Sequence, residues 1–227
     1  MDRTDMKFML PFRLLETILS EIGGHYRILT INDRKVFSYQ TDYYDTPELV
    51  MFSDHHKGKL NRFKIRRREY VESNLSFIEV KFKSNKGRVV KQRINDKHSD
   101  RQVIHGFLTK HTPYNPVNLQ HIISNHFNRF TLVDRDMKER VTIDFNLRFS
   151  DNLGQAYLNG LVIVEIKQNQ TDKESLIYQA LKRQNIRQSS MSKYCVGVTM
   201  LQNQAKTNNF KHVLLQIKKL SHVEYAS

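Results

Sequence analysis

The most constraining feature of this sequence is a run of cationic residues placed at every second position. Between Lys57 and Arg93 the chain carries 13 lysines and arginines against three glutamates. In Arg62–Arg68 four cations alternate with other residues, and the alternation returns in Ile78–Lys83 and Val90–Ile94. Successive side chains of a strand point to opposite faces of its sheet. Three neighbouring strands of this kind would therefore gather their cations on one face.

The rest of the composition indicates a folded chain with an anionic partner. A hydrophobic content of 39% over 227 residues is enough for a core, and the formal net charge is +14. Such a charge is typical of proteins that bind nucleic acid, anionic lipid or phosphorylated small molecules. No linker rich in Ser, Gly or Pro divides the chain, so we expect a single domain over residues 1–227. The single Cys195 excludes an intramolecular disulfide, and no apolar run suits a membrane span or a leader, so we expect a cytoplasmic protein.

Hydrophobic periodicity predicts about eight strands and several flanking helices. The predicted strands are Arg3–Leu10, Val36–Tyr44, Asn61–Val71, Leu75–Lys83, Arg88–Asn95, a hairpin of Arg129–Arg135 with Glu139–Phe149, and Leu158–Gln168. The predicted helices are Pro11–Ile22, Ser99–Lys110, Val117–Phe127, Lys173–Gln184, Lys193–Gln204 and Asn208–Leu220.

A sheet with one basic face allows two interpretations. It could be an open sheet whose solvated face binds the phosphates of RNA or DNA. It could instead be a closed barrel whose polar face lines a lumen. Four acids, Asp5, Glu79, Asp144 and Glu165, share strand faces with cations. They favour the barrel, because carboxylates hold a divalent ion while Lys and Arg neutralise phosphate oxygens. On composition alone both interpretations stay open.

Six short motifs occur in a fixed order along the chain. They are Tyr43-Tyr44-Asp45-Thr46-Pro47, Phe63-Lys64-Ile65-Arg66, Phe77-Ile78-Glu79-Val80-Lys81, Asn85-Lys86-Gly87-Arg88-Val89-Val90-Lys91, Val164-Glu165-Ile166-Lys167 and Ser192-Lys193-Tyr194. Together they resemble the polyphosphate polymerase domain of the vacuolar transporter chaperone (VTC) family in its short bacterial form. That domain belongs to the triphosphate tunnel metalloenzymes, or CYTH superfamily. The resemblance runs from about Arg3 to Gly197.

The resemblance implies an α+β fold. We expect an eight-stranded antiparallel β-barrel tunnel with a basic lumen, flanked by helices, those of residues 173–220 being packed on the barrel. It also implies transfer of the γ-phosphate of ATP to a growing polyphosphate chain, with Mn²⁺ or Mg²⁺ as cofactor. The expected partners are ATP, polyphosphate or triphosphate. The alternatives are a triphosphatase or polyphosphatase of the same fold, or a non-catalytic module that binds polyphosphate or nucleic acid.

The resemblance, together with strand alternation, implies a set of site residues. The expected catalytic residues are Lys64, Arg66, Lys81, Lys91 and Lys193. The expected phosphate ligands are Lys7, Arg62, Arg68, Lys83, Arg93, Arg135, Arg140 and Lys167. Glu165, Glu79 and Asp144 are the expected metal ligands, with pairing to Arg140 as the alternative for Asp144. Arg67 is out of phase and is expected to be exposed to solvent, and His55-His56 is interpreted as a solvated loop.

The chain departs from the family pattern at three places. Hydrolytic tunnel enzymes usually open with Glu-x-Glu-x-Lys, whereas this chain has Arg3-x-Asp5-x-Lys7, which favours phosphate transfer over hydrolysis. Ser190 stands where the family has a second late lysine, and Arg187 is the candidate substitute. The frequent Tyr-x-Arg pattern is interpreted as Val133-Asp134-Arg135, which keeps only its arginine.

Overall fold

The computed structural model describes residues 4–202 and 205–226. Arg3, at the start of the first predicted strand, and the end of the predicted Lys193–Gln204 helix lie outside the described residues. Among the helices of the described residues, none combines the length and the apolar character that crossing a bilayer requires. The cellular location remains a prediction.

The described residues form eleven strands and six α-helices. The strands are β1 (Thr4–Pro11), β2 (Tyr26–Ile28), β3 (Phe37–Asp45), β4 (Arg62–Tyr70), β5 (Leu75–Lys83), β6 (Val89–Asn95), β7 (Gln120–Asp134), β8 (Glu139–Ser150), β9 (Gln155–Asn159), β10 (Leu161–Gln168) and β11 (His222–Ala226). The helices are α1 (Leu15–Glu21), α2 (Val50–His56), α3 (Arg101–His111), α4 (Leu176–Arg183), α5 (Lys193–Leu201) and α6 (Lys211–Leu220).

One antiparallel sheet contains all of these strands. Its main path has eight strands in the order β1-β10-β8-β7-β3-β4-β5-β6, while β2 pairs with β7 and β9 pairs with β8 and β11. No ladder joins β1 to β6 within the described residues. Instead, Gln188 forms a bridge with Phe8, and the Ser189 amide donates to the Lys7 carbonyl at 2.7 Å, so residues 188–189 cover the free edge of β1. The predicted α+β fold with an eight-stranded antiparallel sheet is confirmed.

Most of the convex face of the sheet is apolar and lies beneath the helices. Helices α1 and α4 cover the β1, β10 and β8 side, where Ile18 and Ile177 pack into one cluster with Val164. Helix α3 covers the β4 and β5 side, where Leu108 packs with Ile65. A buried aliphatic side chain contributes about 1.5–3 kcal/mol. Much of the core therefore lies outside the curled sheet.

Helix α5 packs against the opposite, concave face. Tyr194 and Val198 of this helix share a buried cluster with Met9, Phe127 and Ile163, whose strands also carry lumen cations. The cluster fills one part of the concave face with apolar side chains. The charged part that remains is called the lumen below.

Two predicted elements differ from the structure. The helix predicted over Val117–Phe127 is wrong, because β7 begins at Gln120 and pairs along its length with β3 and β8. Sheet pairing on both sides outweighs the weak local helical pattern. The strand predicted over Leu158–Gln168 is divided at Gly160, whose φ of 80° turns the chain between β9 and β10.

The interpretation of His55-His56 as a solvated loop is also wrong. Both residues lie in α2, and the two ring nitrogens of His55 are buried. Burial, followed by repulsion from Lys64, lowers the pKa of His55 to about 3. The imidazole is therefore neutral at physiological pH.

Candidate functional site

Strand register brings the predicted cations onto one face of the sheet. Lys64 of β4 lies opposite Lys81 of β5, which lies opposite Lys91 of β6. Arg66 lies opposite Glu79, which lies opposite Arg93. Residues opposite each other on paired strands share a face, so these three strands form one wall of the lumen.

Lys7 of β1 shows that the sheet curls. Burial, together with repulsion from Lys7, lowers the pKa of Lys64 to about 8, and the same causes lower the pKa of Lys81 to about 8. Five other strands separate β1 from β5 along the sheet path. An interaction between their side chains requires that the two ends of the sheet face each other across the lumen.

Glu79 is buried between two cations. Its Oε2 accepts from Nε of Arg66 at 2.7 Å, and its other oxygen contacts the ammonium of Lys91. Burial alone would raise the pKa of Glu79, but Arg66, Arg68 and Lys91 hold it down to about 2. The carboxylate therefore stays ionised and holds the two cations in place.

Asp144 forms a second charge cluster on the opposite wall. Its Oδ2 accepts from Nη2 of Arg129 at 2.8 Å and also contacts the ammonium of Lys193 from α5. Burial opposes ionisation, yet Arg129 and Lys193 hold the pKa of Asp144 far below its ordinary value. Lys193 Nζ also lies 4.2 Å from the centre of the Phe127 ring. Within the described residues Asp144 makes no ion pair with Arg140.

Arg129 is a lumen residue that the sequence reasoning missed. It belongs to an aromatic-x-arginine pattern, Phe127-Asn128-Arg129, that could have revealed it. Arg135, which was predicted from the position of that pattern, lies in the exposed turn after β7. There it lines a cleft of about 700 Å³ together with Asp134 and Glu174, and the prediction that it faces the lumen is wrong.

Glu165 is held more loosely than the other two carboxylates. Its oxygens lie 3.8 Å from Nζ of Lys7 and 3.5 Å from Nζ of Lys167. Burial raises the pKa of Glu165, but these lysines bring it down to about 2. Its cross-strand neighbour Thr142 has a buried hydroxyl without a hydrogen-bond partner. This corner of the lumen therefore has unused polar atoms.

The lumen includes cations that form no ion pair within the described residues, among them Lys64, Lys81 and Arg68. Lys64 donates to the Ser192 hydroxyl at 2.7 Å, and Arg68 donates to the Thr41 hydroxyl at 3.3 Å. Burial, followed by repulsion from Arg66, lowers the pKa of Arg68 to about 10. The lumen thus holds positive charge that the protein's own carboxylates do not neutralise.

Asp45 fixes the helix that carries Lys193. This fully buried carboxylate accepts from the amides of Met51 and Phe52 at 2.9 and 2.8 Å, and from the hydroxyl of Tyr194. It therefore joins the start of α2 to the first turn of α5. This contact connects the Tyr43–Pro47 motif with the Ser192–Tyr194 motif.

The remaining predicted phosphate ligands lie at the margins of the lumen wall. Arg62 lies opposite Lys83 on β5, and Arg140 is exposed opposite Lys167. Arg93 stacks on the ring of Phe77 with 4.6 Å between Cζ and the ring centre. Their roles remain predictions. Ser190 and Arg187 are both exposed.

Arg67 lies on the convex face, as alternation predicts, but it is not exposed. Its Nε lies 2.6 Å from Asp96, while Nη1 lies 3.0 Å from Glu69 and 3.5 Å from Asp42. Its side chain is 24% accessible. The expectation of a solvated arginine is therefore wrong, because the convex face supplies three carboxylates at this point.

The carboxylates of the lumen do not form a ready-made metal cage. Within the described residues no three His, Cys, Asp or Glu side chains come together as a metal-binding group. Glu79 and Asp144 face cations, and their role as metal ligands remains a prediction. Glu165, with open oxygens beside the unpartnered Thr142 hydroxyl, fits a Mg²⁺-like ion that takes one carboxylate and completes its shell with water and phosphate oxygens.

The family model called VTC domain matches residues 2–202, so the chain belongs to the VTC domain family. A solved structure of a Hippeastrum protein is similar in fold, and that protein is described as having a dominant triphosphatase activity. The TM-score is 0.57 and the sequence identity is 14%, and the match covers 88% of this chain and 96% of that chain. A Pyrococcus horikoshii protein has a TM-score of 0.50 and 11% identity, with 87% of this chain and 96% of that chain covered. At these identities the likeness shows the fold. None of the curated proteins compared by sequence matches the chain.

Proposed function

We propose that this protein is a metal-dependent polyphosphate polymerase, which transfers the γ-phosphate of ATP to a polyphosphate chain inside the lumen. The observation that carries the proposal is a set of three lumen cations, the partly buried Lys64 and Arg68 and the exposed Lys81, that no carboxylate of the described residues pairs. Like charges that lie close together repel one another unless an anion lies among them. A chain of phosphate groups would supply the missing negative charge along the length of the wall.

The lumen residues would act by position and charge. Phosphoryl transfer needs little covalent chemistry from a protein, because its transition state is stabilised mainly by cations around the phosphate oxygens. Arg66 and Lys91 are held by Glu79, and Arg129 and Lys193 are held by Asp144. These fixed cations fit the transferred phosphate, whereas the unpaired ones fit the rest of the chain.

Glu165 is the proposed carboxylate for the divalent ion. A bound Mg²⁺ or Mn²⁺ would neutralise phosphate charge and orient the phosphate oxygens. Lys7 and Lys167, at 3.8 and 3.5 Å, keep Glu165 ionised and available at neutral pH. No hydrogen bond within the described residues occupies its oxygens, in contrast to Glu79 and Asp144.

A tunnel triphosphatase is the second candidate function. It is favoured by the activity described for the Hippeastrum protein, which has the same fold. The polymerase is favoured by the first strand, where Asp5 and Lys7 keep only one of the two carboxylates expected for hydrolysis. A module that binds polyphosphate or nucleic acid without turnover is the third alternative.

One assay separates these alternatives. Purified protein is incubated with ATP and Mn²⁺, and the products are analysed. Long polyphosphate together with ADP supports the polymerase, whereas orthophosphate without polymer supports the triphosphatase. Salt-sensitive binding without any product supports a binding module.

Replacement of Glu165 tests the site itself. Glu165→Gln keeps the shape of the side chain and removes its charge, so metal-dependent turnover should be lost while the fold is kept. Glu21→Gln is the matched control, because Glu21 pairs with Arg183 on the outer surface. Unchanged turnover of Glu165→Gln at saturating Mn²⁺ would remove Glu165 from the site.

A further inference from the structure

The hydroxyl of Thr142 has no hydrogen-bond partner. The residue is 3% exposed, and Oγ1 is one of few buried side-chain atoms left without a partner in the described part of the chain. Native proteins pair almost all buried polar groups, so such an atom calls for an explanation, such as a bound ligand or water. Because Thr142 is uncharged, the alternation of charged residues that identified the other lumen residues does not assign it a role in phosphate binding.

Strand register places this hydroxyl in a polar row across four strands. Lys7 lies opposite Glu165, Glu165 opposite Thr142, and Thr142 opposite Thr131. All four side chains therefore face the lumen. The row crosses β1, β10, β8 and β7, beside the charge cluster of Asp144, which is two residues further along β8.

The two carboxylates near Thr142 do not accept a hydrogen bond from its hydroxyl. Asp144 is occupied by Arg129 and Lys193, and Glu165 lies between Lys7 and Lys167. A hydroxyl can donate to an anionic oxygen without adding charge. Among the cations of this lumen it would thus bind a phosphate oxygen without the repulsion that a further lysine would bring.

We propose that the Thr142 hydroxyl is a further ligand-binding group of the lumen, which donates a hydrogen bond to a phosphate oxygen held beside Glu165. The inference rests on the proposed function, since it takes the ligand to be a phosphate chain. In the empty protein the hydroxyl has no hydrogen-bond partner.

Two substitutions separate the hydroxyl from the packing of the side chain. Thr142→Val keeps the shape and removes the hydroxyl, whereas Thr142→Ser keeps the hydroxyl and removes the methyl group. Since the hydroxyl has no partner in the empty protein, Thr142→Val should leave its melting temperature unchanged or raise it. This result would also show that the variant folds.

The test measures the affinity of tripolyphosphate by calorimetry, with and without Mn²⁺, for the wild type and both variants. Thr142→Val should bind about tenfold or more weakly in both conditions, as expected for loss of a hydrogen bond to a charged group. Thr142→Ser should stay within roughly threefold of the wild type.

Three outcomes would overturn the inference. Wild-type affinity in Thr142→Val would show that the hydroxyl does not touch the ligand. Equal losses in Thr142→Val and Thr142→Ser would assign the effect to the methyl group. A loss seen only with Mn²⁺ would place the contact on a water held by the metal instead of a phosphate oxygen. A wild type that does not bind tripolyphosphate would overturn the proposed function itself, and the wild-type arm reports this separately.

Discussion

Replacement of Asp144 by Asn should destabilise the empty protein and make its stability depend on phosphate. The change removes the one carboxylate that pairs both Arg129 and Lys193, and it leaves two cations in a lumen that is already positive. Removal of one partner from a buried ion pair costs about 3–5 kcal/mol. For a chain of this length each kcal/mol lowers the melting temperature by roughly 2–4 °C, so the expected loss is roughly 6–20 °C.

Tripolyphosphate should recover part of this loss. A ligand that binds only the folded state stabilises it by about 2.7 kcal/mol at a hundredfold excess over its dissociation constant. In Asp144→Asn the ligand also supplies the negative charge that Arg129 and Lys193 have lost. The difference in melting temperature between variant and wild type should therefore become smaller when tripolyphosphate is added.

Thermal melts with and without tripolyphosphate test both statements. Asp136→Asn is the control, because the pair of Asp136 with Lys138 is exposed to solvent and should contribute almost nothing. If Asp144→Asn melted within 2 °C of the wild type, roughly the effect of 1 kcal/mol, Asp144 would not hold a buried charge cluster. If tripolyphosphate left the difference unchanged, the anion would not bind beside Arg129 and Lys193.

Two further predictions concern pH and the convex face. The pKa values of Lys64, Lys81 and Lys193 are lowered to about 8. Calorimetry across pH should therefore show that tripolyphosphate binds more weakly above about pH 8, where these lysines lose their charge. Thermal melts of the empty protein should show the opposite trend. Between about pH 8 and 10.5 the unfolded chain binds more protons than the folded protein, so the contribution of these lysines to the free energy of unfolding should rise with pH. Arg67→Ala should lower stability by about 1–2 kcal/mol in denaturant unfolding without changing turnover, whereas Arg66→Ala should reduce turnover strongly. Loss of turnover in Arg67→Ala below its melting temperature would contradict the assignment of Arg67 to the convex face.

The period of two was enough to predict one wall of the lumen. Alternation is a local property of a strand, so the positions of Lys64, Arg66, Lys81 and Lys91 on one face follow from the sequence without knowledge of the fold. The same argument placed Arg67 on the other face. It could not predict that three carboxylates meet Arg67 there, because Asp96 lies 29 residues away along the chain.

The opposite wall depends on pairing that is not local. Arg129 was missed because residues 117–127 were predicted as a helix, which hid the fact that Phe127 and Arg129 share a face of one strand. The contact between Asp45 and Tyr194 joins residues 149 positions apart. The pairing of Asp144 with Lys193 likewise needs helix α5 to dock on the concave face, and no sequence period specifies that docking.

The depth at which α5 docks depends on Gly197, and this gives a last prediction. A Cβ on Gly197 would meet the side chain of Ile123 and would stand 2.7 Å from Cδ1 of Phe149. Overpacking of this kind costs about 1–3 kcal/mol, which exceeds the 0.5–1 kcal/mol that alanine gains over glycine in a helix. Gly197→Ala should therefore lower the melting temperature. It should also weaken tripolyphosphate binding, because Lys193 lies on the same helix.

Gly106 of α3 is the matched control for this substitution. It is exposed within a helix, and a Cβ there would meet nothing within 4 Å, so Gly106→Ala should stabilise the protein by about 0.5–1 kcal/mol and leave binding unchanged. The two substitutions are chemically identical and should differ in sign. If Gly197→Ala were stabilising as well, α5 would have room to spare against β7 and β8. Close packing would then not be what holds Lys193 beside Asp144.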